Sequence, residues 1–470
     1  MRAISPRAEG DWMSEPVKSS IPYRLTWIGT LLFLVGAALG AFSGPHPWIL
    51  ALRWLGLAAL AADGWHRKSL TYWIFFSMLL GAEIGFDTPH FALHLRILSD
   101  IFLRLIKVII APLILGTLIT GIAGHGNLRA VGRIGWKSLV YFEAVTTIAL
   151  FIGVAAIDIS RAGVGLALAA PVHAAQSVAP LNWNDFVLHI FPENIAKSVA
   201  ENQILQVAVF AILFGIALAR VSEPKRKPLV SFCESLTQTM FAFTNIVMYT
   251  APFGVGAAMA YTVGQLGIAA LLPLGKLLMT GYAALIVFVL GVFLPIAIFA
   301  RLPFRGFLNA VAEPATIAFA TSTSEAALPR AMERMEEFGV PRRIVAFVIP
   351  AGYSFNLDGS TLYLAVASLF VAQVAGIRMS WSAQVFMVFA LMLMSKGIAG
   401  VPRATLVVLM GAAATFHLPV EPIFMILGID ALMDMGRTAV NVTGNCLASA
   451  VIARWENELA PARDEVVIAR

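Results

Sequence analysis

Six polar residues share one side of the stretch DALMDMGRTAVNVTGN, residues 430–445. At about 100° per helical residue, Asp430, Asp434, Arg437, Thr438, Asn441 and Asn445 fall within an arc of roughly 100°. Leu432, Met433, Ala439, Val440 and Val442 make up a largely apolar remainder. A charge at the centre of a bilayer costs about 2.5 kcal/mol or much more, so such a face turns into a bundle and serves a function. The plainer reading is an Asp434–Arg437 ion pair that locks packing, but a lock needs no further row of Asp and Asn.

Three other stretches carry chemistry. AFATSTSEAALP (318–329) sets Thr321, Ser322, Thr323 and Ser324 beside the free N–H groups of a helix start, which suits a carboxylate ligand; taken alone, such a turn reads as an N-cap. In PAGYSFNLDGSTLY (350–363), Asn356, Asp358 and Gly359 break a helix and offer a carboxylate with carbonyl oxygens, the hard ligands of a small cation. A kink with Asp358 paired to a neighbour is the alternative. SKGIAGVPRAT (395–405) is a Gly/Pro turn in mid-segment, or a simple helix break. No G-x-S-x-G, H-E-x-x-H or paired-histidine metal motif occurs, so no catalytic residue, metal or cofactor is expected and an intramembrane enzyme is disfavoured. The charges converge on a pocket instead of repeating as rings, which argues against a channel.

The elements that hold these residues belong to a membrane protein. Of 470 residues, 59% are hydrophobic and 13% charged, and the apolar runs approach the ~20 residues that span a bilayer as helix, so the expected class is an all-α polytopic bundle. The net charge of +6 sits in short connecting loops, where it reports topology and not a nucleic-acid partner. Apolar segments run at about 25–42, 48–62, 70–86, 97–123, 135–158, 204–220, 236–262 and 271–300. Beyond them, 305–338, 343–374, 381–418 and 421–453 are interrupted by Gly, Pro, Ser and Thr. Arg67-Lys68, Arg129-Arg133-Lys137, Lys225-Arg226-Lys227, Arg301-Arg305 and Arg342-Arg343 all face the cytoplasm if both termini are cytoplasmic and 305–338 and 381–418 are re-entrant hairpins of opposite entry. The halves 305–374 and 381–453 then look like inverted repeats enclosing a mid-membrane site, as in secondary transporters.

In order and spacing, TSTSEAALP, GYSFNLDGSTLY, SKGIAGVP and DMGRTAVNVTGN resemble the dicarboxylate/amino acid:cation symporter (glutamate transporter) family, closest to the bacterial proton–glutamate/aspartate symport proteins. The resemblance implies an eight-helix core over about 69–456 with two re-entrant hairpins, preceded by a cytoplasmic tail (1–24) and an extra helical pair (25–68), and followed by a tail (457–470). Within the core it implies a scaffold of about 70–123 and 160–262 and a transport domain of about 135–158 and 271–456, moving as an elevator in a homotrimer of the inner cell membrane. By position, Asp434 would take the substrate ammonium and Arg437 its distal carboxylate, with Thr438 and Asn441 completing the shell. Ser324, with Ser322 beside it, would hold the α-carboxylate, Ser360 stands where threonine is usual, and Gly400 and Val401 would close the outer gate. An aspartate with an arginine specifies an acidic amino acid, since relatives that carry plain C4-dicarboxylates lack the aspartate.

Departures from the family bear on the coupling ion. Asn445 replaces the aspartate of the sodium-coupled pattern, and Phe142 and Val145 replace a tyrosine and a threonine. The remnants of cation sites are Gly352, Ser354, Asn356, Asp358, Asn441 and Asn445, which leave sodium coupling as the alternative to protons. Glu143 and Glu325 are the proton-carrier candidates, because Leu364 fills the position where some relatives carry glutamate. Arg403 follows GVP where a small residue is usual; it is expected either to meet Glu325 across the gate or to steer anions from outside.

Overall fold

The computed structural model describes residues 24–43, 46–67, 69–123, 128–165, 188, 191–201, 203–396, 404–416 and 418–460. Every regular element among them is helical. Helices satisfy each backbone N–H and C=O internally, which apolar surroundings demand. In chain order they are α1 (Arg24–Ser43), α2 (Pro47–Arg67), α3 (Leu70–Asp87), α4 (Pro89–His94), α5 (Arg96–Ala123), α6 (Leu128–Ser160) and α7 (Ile195–Ala200). There follow α8 (Ile204–Ala219), α9 (Glu223–Met248), α10 (Ala251–Leu266), α11 (Leu271–Phe288), α12 (Leu294–Phe299), α13 (Phe304–Thr321) and α14 (Ser324–Glu337). The last are α15 (Arg342–Phe355), α16 (Asp358–Val374), α17 (Trp381–Ser395), α18 (Ala404–Thr415) and α19 (Glu421–Trp455). By length and composition, Pro89–Ala123, Arg133–Ser160, Ile268–Phe299 and Arg342–Val374 can each cross a bilayer.

The chain divides into two compact units, Met1–Leu79 and Leu80–Arg470. In the first, α1 lies along α2 at close range. A Cβ on Gly56 would fall 2.7 Å from the Phe33 amide nitrogen, so only glycine admits this approach. Thr26 Oγ1 donates to the buried Asp63 carboxylate at 2.6 Å and ties the two helices together.

At the centre of the second unit stand α16 and α19, buried on nearly all sides, so that the polar face of α19 turns into the bundle, as a charged face among apolar surroundings must. α16 packs on α6 and α19, while α13, α14, α15 and α11 pack around α19. A second set, α8, α9 and α10, gathers on α5. The stretch 236–262, expected as one segment, lies in two helices, α9 and α10, bent by 51° at Tyr249-Thr250, because Pro252 has no N–H to continue the α9 ladder. The stretch 271–300 carries a π turn at Val289–Phe293, just where Pro295 cannot donate to the carbonyl four residues back.

The first hairpin is α13 and α14. Its turn is two residues: Ser322, left-handed at φ 53°, ψ 29°, and the extended Thr323. Arg330 Nε pairs with Glu313 at 2.8 Å, Arg334 Nη2 donates to the Asn309 carbonyl at 3.0 Å, and Phe307 meets Phe338 edge-on. Both feet of this hairpin are held at one end of the bundle by residues 454–460. Arg454 donates to the carbonyls of Ala300 and Arg301, Arg343 pairs with Glu458, and the Ala460 amide donates to the Gly339 carbonyl at 3.0 Å. Glu456, its side chain 1% exposed, joins the same end through Arg133 and Lys137 of α6.

Candidate functional site

α19 places the whole expected face in the interior: Asp430, Asp434, Arg437, Thr438, Asn441 and Asn445 are all buried. Arg437, 1% exposed, lies between two carboxylates. Its Nε donates to Asp434 Oδ1 at 2.8 Å and its Nη1 to Asp430 Oδ1 at 3.1 Å. The Tyr363 hydroxyl donates to the same Asp430 oxygen at 2.8 Å, and its ring lies under the guanidinium with the Arg437 Cζ 4.3 Å from the centroid. Thr438 Oγ1 reaches Asp434 Oδ1 at a long 3.4 Å. Arg437 Nη2 has no hydrogen-bond partner among the described residues, and neither has Asp430 Oδ2. The guanidinium is thus fixed on two sides, and the one corner of its fork left without a partner among the described residues is a donor of the kind that pairs with a carboxylate. Two aspartates and one arginine thus meet in this cluster.

The break between α15 and α16 falls at Asn356 and Leu357, as NLDG led us to expect. Asn441 caps the new helix: its Oδ1 accepts from the amides of Gly359 (2.8 Å) and Ser360 (3.2 Å), and its Nδ2 donates to Ser360 Oγ at 2.9 Å. Most of its hydrogen-bonding capacity therefore serves the fold. A Cβ on Gly359 would lie 2.4 Å from the Arg437 carbonyl oxygen, so glycine sets the closeness of α16 to α19. Below this cap Asn356 Nδ2 donates to Asp358 Oδ2 at 3.1 Å and to Asn445 Oδ1 at 3.0 Å, with Gly352 against Asn445. Asn356 Oδ1, Asp358 Oδ1 and Asn445 Nδ2 have no partner among the described residues. Gly352, Asn356, Asp358, Asn441 and Asn445 thus come together; the side chain of Ser354 lies outside what the structure describes.

Ser324 is buried at the head of α14 while Ser322 is partly exposed. Thr323 holds the N-cap position without a side-chain cap bond, so the capping role these hydroxyls would play in the plainer reading is not taken up by Thr323. Glu325 is exposed in the first turn of α14. Gly400, Val401 and Arg403 lie outside the described residues, and with them the expected approach of Arg403 to Glu325. Glu143 on α6, its side chain 43% exposed, pairs with Lys396 Nζ at 3.0 Å. Lys396 and Tyr363 were not singled out from the sequence. Lys396 opens the quoted KGIAGVP turn, and a lysine within an apolar segment carries the same signal that drew attention to Glu143. Tyr363 ends the quoted GSTLY run, but nothing in its spacing reveals an aspartate 67 residues away.

The pattern of the sodium:dicarboxylate symporter family matches residues 70–455. The chain is 39% identical to a proton/sodium-glutamate symport protein of Bacillus caldotenax over 403 residues, 83% of this chain and 96% of that one. It is 38% identical to a proton/glutamate-aspartate symporter of Escherichia coli K12, covering 83% and 94% of the two chains. A C4-dicarboxylate transport protein of Burkholderia multivorans is 38% identical over 410 residues, 84% of this chain and 94% of that one. With its buried carboxylate–guanidinium cluster on a helix that follows two broken segments, the chain belongs to the sodium:dicarboxylate symporter family and is a multi-pass membrane symporter, not an enzyme.

Proposed function

We propose that this protein imports acidic amino acids, glutamate or aspartate, together with protons. The observation that carries the reading is the arrangement about Arg437: a buried guanidinium held by Asp430 and Asp434, with Nη2 unpartnered among the described residues. Arg437 Nη2 receives the distal carboxylate and Asp434 the ammonium. Ser324 and Ser322, at the start of α14, take the α-carboxylate, Thr438, Ser360 and Asn441 line the pocket, and Gly400 and Val401 close it. A plain C4-dicarboxylate, the cargo named for the Burkholderia relative, has no ammonium to meet Asp434, which favours the amino acid.

Protons are preferred to sodium because the cluster of Asn356, Asp358 and Asn445 holds a single carboxylate, with amides in place of further charge. Glu143 and Glu325 are the groups proposed to move the proton. The helices about α19 form the moving unit and those about α5 the scaffold of an elevator. Each hairpin re-enters the side it left, both termini lie in the cytoplasm, and three copies assemble in the cell membrane.

Uptake of labelled glutamate and aspartate into proteoliposomes, with pH and sodium gradients imposed separately, tests this reading. Uptake driven by an inward proton gradient and indifferent to sodium is expected. Arg437→Cys should abolish acidic-substrate uptake, and unaltered glutamate affinity in that variant would refute the binding assignment.

A further inference from the structure

The transport scheme leaves the Lys396 ammonium unused. Lys396 follows α17 directly and is 5% exposed, an expensive place for a charge. Its polar partners among the described residues are all oxygens. Nζ pairs with Glu143 Oε1 at 3.0 Å, donates to the Phe355 carbonyl at 3.0 Å and reaches Thr146 Oγ1 at 3.3 Å. Each oxygen is free to face a cation. The Thr146 hydroxyl gives its hydrogen to the Phe142 carbonyl at 2.6 Å, so a lone pair turns to the lysine. Phe355 is the last residue of α15, and the amide four residues on, Gly359 N, donates instead to Asn441. Asp358, at the head of α16, is the next charge within electrostatic reach.

A carboxylate, a hydroxyl and a carbonyl at a helix break form the kind of donor set that coordinates a bare hard cation. We propose that Lys396 is a tethered cation: its ammonium fills an oxygen cage that an alkali ion would otherwise take, and so makes binding of the substrate independent of sodium. The inference rests on the acidic amino acid reading for its substrate, though not for its ion. A covalently held charge never leaves its cage, so it balances the Glu143 carboxylate without drawing on an ion gradient. It also anchors the end of α17 to α6 and to the α15–α16 break.

The test compares melting of the purified full-length protein in choline chloride and in sodium chloride of equal ionic strength. Wild type and Lys396→Arg should show no difference. Lys396→Met, which keeps the stem and removes the charge, should be stabilised saturably by sodium, by about 2 °C or more, because an ion that binds only the folded state raises its melting point. Lys396→Gln should do the same and guards against poor folding of the Met variant. By calorimetry, glutamate affinity of these two variants should fall about tenfold or more in choline and recover in sodium. A folded, charge-free variant whose melting ignores sodium overturns the proposal, as does one that binds glutamate in choline as tightly as wild type. If the wild type fails to bind glutamate at all, the substrate reading falls, and the melting comparison still decides the role of the lysine.

Discussion

Replacing Tyr363 by phenylalanine tests whether the buried cluster acts as one unit. The ring is enclosed and remains over Arg437 after the change, so the cation–π contact at 4.3 Å is retained. What disappears is a 2.8 Å hydrogen bond from the phenol to Asp430 Oδ1, an ionised acceptor whose other oxygen has no partner among the described residues. A hydrogen bond to a charged group contributes about 1.5–3 kcal/mol, and little else changes in shape, so Tyr363→Phe should lower the unfolding free energy by that amount. Asp430→Ala deletes the same bond and also an ion-pair partner of Arg437, for about 3–5 kcal/mol. The double variant should therefore cost about 1.5–3 kcal/mol less than the sum of the single ones. SDS-titrated unfolding in mild-detergent micelles, followed by intrinsic fluorescence, measures all four corners of the cycle. Additivity within about 0.5 kcal/mol, or a Tyr363→Phe cost below that, would refute the coupling.

Two further perturbations probe neighbouring contacts. In Gly352→Ala the new Cβ would lie 2.1 Å from Asn445 Oδ1 and must displace the acceptor of the 3.0 Å bond from Asn356, so a loss of about 1–3 kcal/mol is expected, relieved in the Gly352→Ala/Asn445→Ala pair; melting measurements on the three proteins check it. Glu456, beyond the end of α19, has its carboxyl held below the usual carboxylate range by hydrogen bonds and charge from Lys137 and then Arg133. A lowered folded-state pKa means that its contribution is complete above the unfolded value of about 4.3 and is lost as pH falls through the folded value. Melting of the wild type should therefore decline with acid more steeply than that of Glu456→Gln, and parallel profiles would contradict the assignment.

The sequence makes visible whatever repeats within one element. The spacing of Asp430, Asp434, Arg437, Thr438, Asn441 and Asn445 follows the helical period, and α19 buries that face as read. The Asn356-Leu357 break was legible for a related reason, since glycine and small polar residues interrupt an apolar run. Contacts between elements were not legible. Lys396 reaches Glu143 across more than two hundred residues, and only packing can say that the carbonyl beside it, that of Phe355, was freed when Gly359 turned its amide to Asn441. The bend before Pro252 was missed because a proline in the first turn of a new helix looks, in sequence, like a proline within a continuous one.

The contacts of Arg454, Glu456, Glu458 and Ala460 also set an order of events. A polypeptide leaves the ribosome from its N-terminus, so α6 and both arms of the first hairpin are made long before the residues that clasp their ends. Until residues 454–460 are made, Arg133, Lys137 and Arg343 have no Glu456 or Glu458 to meet, and the hairpin feet stay unfastened. Synthesis of this short segment is thereby built into the assembly of the site: a nascent protein stopped before residue 454 would hold every residue proposed for the pocket and still lack the fastening at this end of the bundle.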